Sequence, residues 1–99
     1  MPNASRSIVL NMLNSDTPLR TGPMTKAERA ALASIALHLP ERGESQNGAA
    51  AGRLTLHYAL RGDRPHAVAT ARSLYVCTDL PMLKERAVDY LRAAAKKEA

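Results

Sequence analysis

The sequence predicts an all-helical protein of about five short helices in antiparallel hairpins, and three observations carry that expectation. Alanine is the commonest residue while Phe and Trp are absent, so the core must come from close approach of helices rather than from bulky rings. Apolar residues recur at i, i+4 and i+7 spacing, and no stretch calls for a strand. Turn formers collect between the periodic stretches, at residues 15–24 and 40–48. A chain of 99 residues makes one domain, spanning 1–99, with a thin core.

Residues 1–4 read as a frayed end, and Ser5 caps a short helix running to about Asn14 with the pairs Ile8/Met12 and Val9/Leu13 on one stripe. Thr25 and Glu28 form a capping-box signature that starts a second helix, which stops at about Leu39, before Pro40. Leu32, Ile35, Ala36 and Leu39 make its packing stripe. Ala30, Ala33 and Leu37 make a second apolar side, which needs another neighbour and can take another molecule.

The polar, Gly-containing segment 40–48 reads as a flexible surface loop. A third helix covers about residues 49–61, with Leu54 and Tyr58 on its packing stripe and Leu56 and Leu60 off it. The turn Arg61-Gly62-Asp63-Arg64 follows, and Pro65 suits a first helical position. The fourth helix, to about Cys77, buries Ala67, Ala71, Leu74 and Tyr75, and Cys77 itself reads as a small buried hydrophobe. Asp79 is placed to cap a fifth helix whose stripe is Leu80, Leu83, Ala87, Leu91 and Ala94, with Lys96 and Lys97 at the negative end of its dipole. Tyr58, Tyr75 and Tyr90 read as half-buried packing residues with wet hydroxyls.

The third and fourth helices resemble one tetratricopeptide repeat, a helix-turn-helix unit. Leu54 and Tyr58 fall on its leucine and aromatic sites, Gly62-Asp63 on its turn, and Ala67 on the small residue where the helices cross. Ala71 and Leu74 fall on its next packing sites. Thr55, Ala51 and Asp79 depart from it, standing where Gly, Trp and Pro are usual. The resemblance implies a ligand-facing groove at Ala49, Gly52, Leu56, Ala59 and Leu60, small or aliphatic residues suited to an apolar helix. With Leu37 on the spare side of the second helix, these are the candidate partner-binding residues.

Among small proteins of this layout the chain is similar to the short tetratricopeptide-type chaperones of bacterial type III secretion that hold the needle subunit. The likeness runs through the short first helix, the stretch ALHLPERG and the stretch RLTLHYALRGDRPHAV. It implies a cytoplasmic, non-enzymatic chaperone or adaptor that cradles a helix of its partner beside a small co-chaperone.

The net charge of +5 lies mainly in the second half, since residues 53–99 hold nine basic and five acidic side chains. Arg53, His57 and Arg61 stand at i, i+4 and i+8, with Arg64 and Arg72 nearby. Such a basic ridge supports an alternative reading as a DNA- or RNA-binding regulator. The histidines His38, His57 and His66 lie on separate elements without metal-site spacing, and no nucleophile motif accompanies Cys77, so neither a cofactor nor an enzymatic role is expected. No apolar run reaches the roughly 20 residues of a membrane span, and no signal peptide is evident.

Overall fold

The computed structural model describes residues 18–96, and the expected first helix at residues 5–14 lies outside them, as does Lys97. The described residues form four helices: α1 (Lys26–Leu37), α2 (Ala49–Leu60), α3 (Arg64–Cys77) and α4 (Pro81–Ala94). The protein is all-helical, and the one β-type contact among the described residues is an isolated bridge between Leu19 and Ala95. There Arg20 N donates to Ala94 O and Lys96 N to Pro18 O, at 3.0 and 2.9 Å.

The helices start and stop for local reasons. Thr25 Oγ1 accepts from the Glu28 amide while the Glu28 carboxylate accepts from the Thr25 amide, the expected reciprocal cap. Helix α1 ends at Leu37 rather than Leu39, because the His38 amide already closes onto Ser34 and Ile35 and the chain must turn before Pro40. Gly62 takes φ +80° between α2 and α3, a left-handed turn that a Cβ would strain. Asp63 then caps α3 through the His66 amide, with Pro65 in the first turn.

Asp79 does not cap α4, whose N-cap is Leu80 with no side-chain bond. Its carboxylate instead accepts from Ser45 Oγ and Asn47 Nδ2, at 2.8 and 2.6 Å. The loop 40–48 is thereby tied to the start of α4, and Gln46 and Glu44 bond within it. Pro40, at its head, is buried.

Helices α2 and α3 pack along their length, as do α3 with α4 and α4 with α1, while α1 meets α2 over a smaller area. The end of α1 lies at the starts of α2 and α4, where Leu39 covers Gly52 and Leu37 shares a groove with Met82. The start of α1 lies at the end of α2 and the start of α3, where Glu28 meets Arg64 and shares a small cavity with Ala59. Neighbours in this ring therefore run antiparallel.

The core holds Leu32, Ile35, Val68, Leu74, Leu83, Tyr90 and Leu91, interleaved with alanines at 31, 59, 67, 71, 87 and 94. Small residues at the crossings let the backbones approach. Three packing expectations are corrected. Ala36 is exposed and Ala31 takes its place in the core. Cys77 is exposed at the end of α3. Tyr90 is only 1% exposed, while Tyr58 and Tyr75 are half-buried.

The largest correction concerns the register of α2. Leu54, expected on the packing stripe, is 43% exposed, and Thr55 beside it is fully buried. The Thr55 hydroxyl donates to Ala51 O and meets Thr70 Oγ1 of α3 at 2.9 Å, which satisfies it within the interface. Once a hydroxyl has both an i−4 carbonyl and a cross-helix partner, it can occupy a position that apolar periodicity would give to leucine.

Candidate functional site

Four of the expected groove residues lie in or against the core. Ala49 is 3% and Ala59 6% exposed, and Gly52 is buried, so none of these three lines an open groove. A Cβ on Gly52 would lie 2.7 Å from Leu39 Cδ2, so its missing side chain makes room for Leu39. Leu56 is half-buried against the core rather than free for a partner. The reason is rotational: α2 turns Thr55 and Ala59 inward, which carries Leu56 toward the interior and Leu54 away from it.

The two remaining residues are strongly exposed, Leu37 at 82% and Leu60 at 75%. They do not share a surface, since they stand at the ends of antiparallel neighbours α1 and α2, at opposite ends of the bundle. Leu37 belongs instead to an open groove of about 380 Å³ between the end of α1 and the start of α4. Leu37, Leu39, Leu80, Pro81 and Met82 give it an apolar lining, and His38, Glu41 and Glu44 supply polar groups at its edges. Met82 is itself 47% exposed.

His38 Nδ1 lies 2.8 Å from Ser34 O, which can only accept, so Nδ1 donates and the ring is fixed to the last turn of α1. The sequence placed Leu80 on the packing stripe of the last helix and gave Met82 no role at a partner site. What the sequence did not reveal was its juxtaposition with Leu37.

The basic ridge is divided. Arg53, His57 and Arg61 are exposed along α2, as the i, i+4, i+8 spacing implies. Arg64 leaves the ridge and points inward, where Nη2 meets Glu28 Oε1 at 2.8 Å and Nε meets the other carboxylate oxygen. Its Nη1 and Nη2 also donate to the carbonyls of Arg20, Gly22 and Pro23, so one guanidinium fastens the segment before α1 to the start of α3. Arg72 lies half-buried on α3, away from the α2 ridge in sequence and burial alike.

Burial would raise the Glu28 pKa, but the Arg64 hydrogen bonds, the Thr25 amide and hydroxyl, and the Arg64 charge outweigh it and hold the carboxyl below its ordinary value. The same bonds to Glu28 raise the Arg64 pKa. Burial, then the Glu28 charge, push the Tyr90 phenol up to about 12. Glu28, Arg64 and Tyr90 line a cavity of about 50 Å³. Its charged groups are bonded to each other across the start of α1 and the start of α3.

His66 is held by Asp63 at 2.6 Å and stacks on Tyr58 with ring centroids 5.0 Å apart. Among the described residues no group of three or more His, Cys, Asp or Glu is arranged to hold a metal, and no helix is long and apolar enough to cross a membrane. Compared with known proteins, the chain matches no family model, no curated protein and no solved structure.

Proposed function

We propose that this protein is a non-enzymatic binding module, a small chaperone or adaptor that takes an apolar helical segment of a partner protein. The observation that carries the reading is the groove where Leu37, Leu39, Leu80, Pro81 and Met82 converge. A leucine left 82% exposed beside a half-exposed methionine, over a floor of further leucines, is an apolar surface held ready for a partner. The groove suits the alternate-turn anchors of an amphipathic helix, and Met82 adds an adaptable contact.

The likeness to tetratricopeptide-type chaperones supports the same reading from the α2–α3 hairpin, where Gly62 makes the turn and the fully buried Ala67 sits at the crossing. On that likeness the partner would be a type III secretion needle subunit, held in the bacterial cytoplasm. The groove now favoured contains none of the residues the likeness pointed to; Leu37, its one candidate from the sequence, came from the spare apolar side of α1.

The test is capture from the native cytoplasm by the parent protein and by a Leu37→Glu, Met82→Glu variant, followed by calorimetry of each purified pair. A captured protein that presents an apolar helix and fails to bind the variant supports the proposal. Equal binding of every captured protein by the folded variant overturns it.

A further inference from the structure

The outward face of α2 joins charge and apolar surface in a way the end groove does not. Arg53, His57 and Arg61 run along it at successive turns, spanning about 12 Å at 1.5 Å per residue. Helix α2 contains no acidic residue, and Arg53 and Arg61 make no ion pair among the described residues. The nearest carboxylate in sequence, Asp63, is engaged by the amide and ring of His66.

Two large apolar side chains flank this ridge. Leu54 follows Arg53 and Leu60 precedes Arg61, each roughly 100° around the helix from its basic neighbour and on opposite sides of the ridge. They are 43% and 75% exposed. Neither belongs to the end groove around Leu37 and Met82.

We infer that this face is a second docking surface, and that its occupant is an acidic amphipathic helix of a partner protein. Carboxylates at i, i+4 and i+8 of such a helix would match the spacing of Arg53, His57 and Arg61. Apolar residues beside those carboxylates would cover Leu54 and Leu60. A nucleic-acid backbone would satisfy the ridge alone and leave both leucines in water, so the leucines decide between the two classes. Electrostatic complementarity sets orientation and association rate here, and burial of the leucines supplies the remaining affinity. The inference goes beyond the proposed function, because it uses a different helix face and a different partner chemistry.

The experiment measures fluorescence anisotropy of a labelled helical peptide with glutamates at i, i+4 and i+8 flanked by leucines, of its twin with lysines for glutamates, and of a single-stranded DNA oligonucleotide. The acidic peptide is expected to bind the parent protein and to be displaced by salt. It should bind about tenfold more weakly to Arg53→Glu, Arg61→Glu. The lysine twin should bind that reversed variant better than the parent, which shows the variant folded. Leu54→Ser with Leu60→Ser should also weaken the acidic peptide, while Leu37→Glu with Met82→Glu should leave it unchanged. No binding of the acidic peptide at low salt overturns the inference. So does DNA binding at least as tight as that of the peptide and indifferent to the Leu54 and Leu60 changes, which would make the face a nucleic-acid surface.

Discussion

Arg64, at the first position of α3, donates to both carboxylate oxygens of Glu28 in the first turn of α1, and the Glu28 side chain is 1% exposed. The pair joins two helices that are not neighbours in the ring, and the Thr25 cap and three loop carbonyls complete its hydrogen bonding. Buried pairs of this kind are costly to desolvate and hold only when every remaining donor and acceptor is met.

Removal of one partner is therefore expected to hurt more than removal of both. Arg64→Met leaves the Glu28 carboxylate in the interior without its cation, and should destabilise the fold by about 3–5 kcal/mol. Glu28→Gln with Arg64→Met together should cost less than the sum of the single changes. Urea melts of the four proteins in a double-mutant cycle measure the coupling.

The same cluster contributes to stability at both ends of the pH range. Glu28 has a folded pKa below its ordinary 4.5, so its contribution is present above that value and is lost as pH falls through the folded pKa. Tyr90 is the opposite case, an acid whose neutral form is favoured on folding. Its contribution is full below its ordinary 10.0 and is lost as pH rises toward about 12. Thermal melts against pH should show both declines, with Glu28→Gln flattening the acid limb and Tyr90→Phe the alkaline one.

The pattern of what was legible in the sequence follows the range of each interaction. Caps and turns depend on neighbours a few residues away, so Thr25 with Glu28 and Gly62 before Asp63 could be read directly. Much of the α3 and α4 stripes was legible because Ala67, Ala71, Leu74, Leu83, Ala87, Leu91 and Ala94 are apolar at helical spacing, while the buried Val68 and Tyr90 were not placed on them. Helix α2 misled because Thr55 is buried by a bond to Thr70, fifteen residues away, and a hydroxyl that finds such a partner looks polar in the sequence. Arg64 misled for the same reason, since its carboxylate partner lies 36 residues earlier. The end groove combines residues from the end of α1 and the start of α4, a juxtaposition that only ring closure creates.

The register of α2 has a direct mutational signature. Leu54→Glu at a 43% exposed site should change stability by no more than about 0.5 kcal/mol. Leu74→Ala, at a fully buried site, should cost about 2–5 kcal/mol. A Leu54 cost approaching that of Leu74 would restore the register in which Leu54 packs. Denaturant titration of the two variants against the parent decides the point.

Gly52 and Leu39 give a test that reaches from the core to the groove. Alanine is favoured over glycine in a helix interior by about 1 kcal/mol, so Gly52→Ala ought to stabilise α2 if nothing stood in the way. The added methyl would instead lie 2.7 Å from Leu39 Cδ2, and the leucine must swing aside. Leu39 also lines the groove beside Leu37, so its displacement alters that apolar surface. In the parent background Gly52→Ala should therefore gain little or lose stability, whereas in a Leu39→Ala background it should gain about 1 kcal/mol. Equal effects in both backgrounds, measured by thermal unfolding, would mean that Leu39 does not rest on Gly52, and that the groove floor is built by other residues.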